Sequence, residues 1–222
     1  MELRNLNRWD VSPTEAVAIQ SELGWLVVEE GEPTNVRRIA GVDVGLPQGM
    51  TRAAIVVDSY PELAPVETAV AERPLVFPYV PGLLSFREAP AIIAALTDLT
   101  ADPDLIIVDG QGIAHPRRLG IASHIGLLVD LPTIGCAKSL LVGHHGPLGD
   151  AVGDWVPIEY RRKTIGAAVR TRSRVKPVYV SVGHRIGLES AIHWVLACGK
   201  GYRLPEPQRQ AHRLASNTAA GR

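Results

Sequence analysis

The chain has 222 residues, 46% of them hydrophobic and 21% charged, with 23 Lys+Arg balanced by 23 Asp+Glu. That size and composition suit one soluble globular domain over residues 1–222, and they exclude a disordered or collagen-like chain. No apolar run approaches the ~18 residues of a membrane span. Met1–Asn5 has no secretory signal pattern, and two cysteines, Cys136 and Cys198, build no disulfide framework. The expectation is a reduced, cytoplasmic protein with no membrane contact.

In chain order, Ser12-Pro13-Thr14-Glu15 reads as a capping box with Pro at the first helical position, opening a helix to about Leu23. Strands are expected at Val36–Val44, Ala53–Asp58 and Val66–Ala71, with short turn-rich connections that predict an antiparallel meander. Arg73–Leu84 is a loop punctuated by Pro74, Pro78, Pro81 and Gly82. Ser85-Phe86-Arg87-Glu88 reads as a second capping box, opening a helix through Leu96. Leu105–Val108 is a continuous apolar run, the mark of a buried parallel strand, and it ends in Asp109-Gly110. A helix near Leu119–Leu128 and a strand at Thr133–Ala137 follow. Strands near Trp155–Ile158, Ile165–Val169 and Val178–Val182 come next, then helices at Glu189–Leu196 and Glu206–Leu214. A three-strand meander followed by α–β–α–β describes an α/β fold with a mixed sheet flanked by helices, expected as a five-stranded ribonuclease H-like sheet.

Charge is unevenly distributed. Residues 1–110 carry 7 Lys+Arg against 17 Asp+Glu, and residues 111–222 carry 16 against 6, so the halves bear −10 and +10. The densest basic run is Arg161, Arg162, Lys163, Arg170, Arg172, Arg174 and Lys176, with no acid between. It fits a polarised binding surface or a solvated strand face equally.

Asp43 sits inside an apolar strand, where a carboxylate is costly unless paired or bound to metal. Asp109 ends the most apolar strand, and strand C-termini are where open sheets bind ligands. Glu88 lies on the helix between them. Three carboxylates on adjacent elements suit a hard cation such as Mg²⁺ or Mn²⁺. Each has a plain structural reading too: Glu88 as the capping-box acid, Asp43 satisfying a turn, Asp109-Gly110 as a tight turn. Tyr79, between Pro78 and Pro81, is either a rigid exposed ring able to wedge into a duplex or a ring packed on the surface. His115 and the Arg117-Arg118 pair suit phosphate contacts. Lys138, after a buried strand, suits a phosphate or a carboxylate. His193 and Cys198 read as packing residues of a helix, and His144 and His145 as a surface loop.

Four runs, Pro78–Glu88, Asp109–His124, Thr133–Ser139 and Val180–Ile186, together resemble the endonuclease V (deoxyinosine 3′-endonuclease) family, over about residues 12–214. The resemblance implies a ribonuclease H-like fold and Mg²⁺-dependent DNA cleavage, with Mn²⁺ as a substitute. The cut falls at the second phosphodiester bond 3′ to deoxyinosine, leaving 3′-hydroxyl and 5′-phosphate ends. It further implies Asp43, Asp109 and Glu88 as metal ligands, Lys138 near the scissile phosphate and His212 as a C-terminal active-site histidine. Tyr79 becomes the wedge, with Arg87, His115, Arg117 and Arg118 against DNA. Gly82, Leu84, Gly110, Gly120 and Ile121 become the wall of the base pocket. Gln111 departs from the His or Asn common in the family, which bears on the pocket and not on the metal site. A monomer acting on inosine-containing DNA is expected. Inosine-containing RNA is an alternative substrate, and a non-catalytic nucleic-acid-binding relative an alternative role. An actin-like ATPase or sugar kinase would share the strand Gly41–Gly45 but needs a second phosphate-loop domain, for which 222 residues leave no room.

Overall fold

A computed structural model describes residues 1–216. Among them, eight strands form one sheet in the order β3-β2-β1-β4-β5-β8-β7-β6. They are β1 (Arg38–Gly45), β2 (Met50–Ser59), β3 (Pro65–Pro74), β4 (Leu105–Val108), β5 (Thr133–Ala137), β6 (Trp155–Tyr160), β7 (Lys163–Val169) and β8 (Val178–His184). The meander β1-β2-β3 is antiparallel, β4 and β5 run parallel to β1, and β8, β7 and β6 continue antiparallel. The ribonuclease H-like core is therefore present, but the expected five-stranded count is corrected to eight. All three late strands were visible as apolar runs. What the local pattern lacked was the pairing of β8 onto the free edge of β5, which joins them to the same sheet.

The helices are α1 (Pro13–Leu23), α2 (Leu84–Thr97), α3 (Ile121–Val129), α4 (Leu188–Ala197) and α5 (Glu206–Ser216). α2 and α3 cover one face, burying Ala40, Val42, Ile55, Ile106 and Val108. The opposite face buries Ile39, Leu105, Ile107, Ile134 and Cys136 with α4. Apolar side chains on both faces explain why β4 reads as an unbroken apolar run. None of the described helices is long and apolar enough to cross a membrane.

The first capping box forms as expected: the Ser12 hydroxyl accepts from Glu15 N, and Ser12 N donates to Glu15 Oε2 at 2.8 Å. The second does not. α2 starts at Leu84 with Leu83 as its cap and no side-chain capping bond. Ser85 is drawn inward, its Oγ 3.1 Å from His124 Nδ1, and Glu88 turns to the end of the sheet instead of back to the cap. His193 is exposed on α4 and so is no packing residue, while Cys198 is fully buried beyond its end.

Candidate active site in a glycine-walled cleft

Alternation along β1 puts Ile39, Gly41, Asp43 and Gly45 on the face that carries α4 and α5. The two glycines open a groove there. A Cβ on Gly41 would lie 2.0 Å from the Pro207 carbonyl carbon, and one on Gly45 would lie 2.5 Å from the Ala215 carbonyl oxygen. α5 meets the groove with a face of Pro207, Gln208, Ala211 and Ala215. Eight residues of helix span about 12 Å and four of strand about 13 Å, so the two elements stay in step between these contacts. His212 is thereby held over Asp43, Nδ1 2.5 Å from Oδ2.

β4 runs parallel to β1, and Asp109 N donates to Val42 O at 2.9 Å, which sets Asp109 beside Asp43. Lys138, one residue past β5, places its ammonium against Asp109 and 3.8 Å from Asp43 Oδ2, with His212 Nδ1 at 3.4 Å. One donor atom each from Asp43, Asp109 and His212 lie within 4.8 Å of one another. Glu88 is outside this trio but borders the same cleft, 8% exposed. Burial, then the charges of Asp43 and Asp109, push its carboxyl up to about 8, with Arg87 opposing. Burial and Asp43 likewise raise Asp109 to about 6 against the pull of Lys138. Crowded acids that hold protons into the neutral range and gather round one lysine form a site built for positive charge. Carboxylate oxygens with one imidazole fit a hard divalent cation.

The cleft has a volume of about 470 Å³, within the usual range for a small-ligand site. Of the residues expected at the site, Asp43, Tyr79, Gly82, Leu84, Arg87, Glu88, Asp109, Gly110, His115, Gly120, Ile121, Lys138 and His212 all border it. Gly110 has φ of +151°, and a Cβ there would sit 2.4 Å from Ile121 Cγ2. A Cβ on Gly120 would sit 2.2 Å from Gln111 O, so both walls are backbone by necessity. Gln111, which borders the cleft, donates to Ser139 O at 2.8 Å and leaves its buried Oε1 unpartnered among the described residues. Tyr79 stands 72% exposed at the rim, with the Arg87 guanidinium 5.6 Å from its ring centre.

The structure gives other work to His115, Arg117 and Arg118, the residues expected to hold phosphate. Gly82, at φ +80°, points its carbonyl at three donors: Gln20 Nε2 at 3.0 Å, His115 Nε2 at 2.8 Å and an Arg117 nitrogen at 3.0 Å. His115 is buried, held neutral by desolvation that lowers it to about 4, and accepts at Nδ1 from Arg117 N. Arg117 also donates to Gln20 at 2.7 Å, and Arg118 is paired with Glu29. Together His115, Arg117 and Gln20 fix the loop that carries Tyr79. Gln20 escaped the sequence reading, although it is the one polar member of the buried α1 stripe Ala16, Gln20, Leu23.

A carboxylate centre at the strand ends of a ribonuclease H-like sheet defines a hydrolase of the nuclease type. A sequence model of the Endonuclease V family matches residues 21–213. Endonuclease V of Gloeobacter violaceus is 54% identical over 216 residues, covering 95% of this chain and 88% of that one. The crystal structure of Endonuclease V from Streptomyces avermitilis superposes with a TM-score of 0.88 at 43% identity, covering 97% of this chain and 96% of that one. Ciona intestinalis Endonuclease V, solved with a 24mer DNA containing an inosine followed by a ribo-adenosine, gives a TM-score of 0.79 at 28% identity, covering 91% and 95%. The chain belongs to the Endonuclease V family.

Proposed function

We propose that this protein is a repair endonuclease that hydrolyses the second phosphodiester bond 3′ to deoxyinosine in DNA. The observation that carries this reading is the convergence of Asp43, Asp109, Lys138 and His212 at the mouth of a backbone-walled cleft with Tyr79 at its rim. The residues fit a divalent cation, Mg²⁺ first and Mn²⁺ in its place: Asp43 and Asp109 hold it, with Glu88 as the third acid and His212 within reach. What the cation contributes when bound is Lewis-acid charge beside the scissile phosphate.

The chain's own residues account for the rest. Lys138 places its charge where the non-bridging phosphate oxygens gather negative charge in the transition state. His212 is oriented by the Asp43 contact at Nδ1, which leaves Nε2 as the nitrogen that donates or takes a proton at the reacting phosphate. Water oxygen bonds to phosphorus and the bond to O3′ breaks; the leaving oxygen takes a proton to give the 3′-hydroxyl, and the phosphate stays on the 5′ end. The target base leaves the stack, and an inosine pair, weaker than a normal pair, opens at lower cost. The Gly82 amide and the backbone of Gly110 suit the edge of hypoxanthine, which differs from adenine by O6 for N6 and by a protonated N1, while Gly120, its own amide and carbonyl engaged by Gly112 and His124, serves as pocket wall. In this reading the working unit is a monomer, with Asp43, Asp109, Lys138 and His212 meeting within a single chain. A cytoplasmic setting suits the two buried free thiols.

The test is an end-labelled strand containing one deoxyinosine, incubated with protein plus Mg²⁺, Mn²⁺ or a chelator, alongside an inosine-containing RNA. Metal-dependent nicking of the DNA at the second 3′ bond supports the reading. No cut with either metal overturns it, and a cut on RNA alone makes the protein an inosine ribonuclease.

A further inference from the structure

With Arg117 turned to Gln20 and the Gly82 carbonyl and Arg118 paired with Glu29, the free cations at the cleft end of the sheet, apart from Arg87 over the Tyr79 ring, lie elsewhere. We propose that the β7–β8 loop, through Arg172, Arg174 and Lys176, is a backbone-binding arm that holds the flank of the nucleic acid beyond the cleft. The proposal deepens the reading above and rests on it for the identity of the partner.

Strand register supplies the placement. Ala137 pairs with Tyr179 across β5 and β8, and Val169 pairs with Val178 across β7 and β8. The loop between β7 and β8 therefore emerges at the end of the sheet where Lys138 follows Ala137. β7 stands two strands from β5, about 10 Å at the usual strand spacing. That is about three base-pair rises of a duplex. The other half of the basic run cannot share this role. Trp155 pairs with Val169 and Tyr160 with Lys163, so Arg161, Arg162 and Lys163 turn at the opposite end of the sheet.

The loop is built to present charge. Arg170 is spent on its framework, donating to Gly149 O at 2.9 Å and to Val175 O, with Asp150 at 3.4 Å. Arg174 takes φ of +59° in a tight turn closed by Val175 N to Arg172 O at 3.4 Å. Arg172, Arg174 and Lys176 are all exposed, and among the described residues none of their side chains makes a hydrogen bond or ion pair. The loop is also tied to the site. One Arg203 nitrogen donates both to Pro177 O at 2.7 Å and to Lys138 O at 2.6 Å, and Thr171 Oγ1 donates to Arg203 O at 2.6 Å. Three free cations, anchored to the backbone of Lys138 and carrying no acid among them, match a run of phosphates that a duplex presents once its lesion is seated.

The experiment measures binding with a chelator present, so that no strand is cut. Fluorescence anisotropy over a KCl series compares the wild type with R172A/R174A/K176A on an inosine-containing duplex of about 30 base pairs, on a lesion-free duplex of the same length, and on two shorter inosine duplexes that end about two base pairs from the lesion on one side or the other. On both longer duplexes the salt slope is expected to fall by about two to three units, at about 0.9 per lost phosphate contact. On the short duplex that ends before the arm the loss should be smaller. R172K/R174K, with Lys176 kept, should retain the wild-type slope. An unchanged slope on both long duplexes overturns the arm, as does an equal loss on the long inosine duplex and both short ones. Wild type that binds the lesion-free duplex through the arm yet cuts no inosine strand would sink the nuclease reading and leave the arm supported.

Discussion

Gly41 lies directly beneath the Pro207 carbonyl of α5, closer than any side chain would allow, and two residues on Asp43 meets His212 from the same helix. The glycine is thus part of the active-site geometry although it touches no substrate. Adding one methyl at Gly41 must lift α5 and draw His212 off Asp43. Overpacking of this kind costs about 1–3 kcal/mol. At ~2–4 °C per kcal/mol in a chain of this size, G41A should melt several degrees below the wild type. It should also lose cleavage to a degree close to H212A. G146A serves as the control, because a Cβ there meets nothing within 4 Å. A G41A protein with full activity and wild-type melting would show that the groove has slack.

Asp43→Ala and Asp109→Ala should each abolish nicking in Mg²⁺ and leave the fold intact. Either change removes a ligand from a site with few to spare. Each also relieves like-charge crowding in the metal-free protein, and Lys138, half-buried, remains hydrated. Melting in chelator should therefore hold at or above the wild-type temperature, while calorimetric binding of Mn²⁺ disappears. Near-normal nicking by either variant overturns the metal assignment.

The pH dependence of the metal-free protein follows from Glu88. Its folded pKa, about 8, lies above the unfolded value of 4.5, so the folded state binds the extra proton between them. That stabilisation is complete below the unfolded value and is lost as pH rises through about 8. Below pH ~6.5 the buried neutral histidines His115 and His124 act in the opposite sense, since they are lowered to about 4 and about 3. The clean window is pH 6.5 to 8, where melting in chelator should fall by roughly 1–2 kcal/mol. E88Q should flatten that fall. A cation must displace the same proton, so Mn²⁺ affinity should rise with pH over this window in the wild type and less in E88Q. A wild-type melting curve flat in chelator from pH 6.5 to 8 contradicts the assignment.

What the sequence made legible was local. The apolar run before Asp109 announced a central strand and its ligand end. The carboxylate inside β1 announced a costly charge in want of a partner, and the prolines around Tyr79 announced a stiff rim. What it hid was long-range. The Ser85–Glu88 spacing is a capping box by pattern, but His124, a distant residue, takes Ser85 and leaves Glu88 to the cleft. Cationic side chains in a glycine-rich loop look free for phosphate until the fold brings Gln20 and the Gly82 carbonyl to them. The basic run from Arg161 to Lys176 looks continuous, and a hairpin sends its two halves to opposite ends of the sheet. His212 could be matched to a motif, but its contact with Asp43 depends on two glycines more than 160 positions earlier.

Tyr79 should govern lesion capture and not chemistry. Its ring is 72% exposed, touched by Arg87 and seated on a loop that three donors pin at Gly82. Removing an exposed ring creates no cavity, so Y79A should fold and melt like the wild type within about 0.5 kcal/mol. A rigid ring at the rim can fill the gap that a flipped base leaves, and stacking there is worth ~1–3 kcal/mol. The corresponding loss of preference for inosine-containing over normal duplex is about five- to 150-fold. Mg²⁺ dependence of the cut should not change, because Tyr79 touches none of Asp43, Asp109 or Lys138. The loss should shrink on single-stranded substrate, where no partner strand must be held apart. Cleavage rates for Y79A on duplex and single strand, each with and without deoxyinosine, decide the matter. Equal loss on both forms makes the ring a general binding contact, and a drop in melting temperature makes it a packing residue.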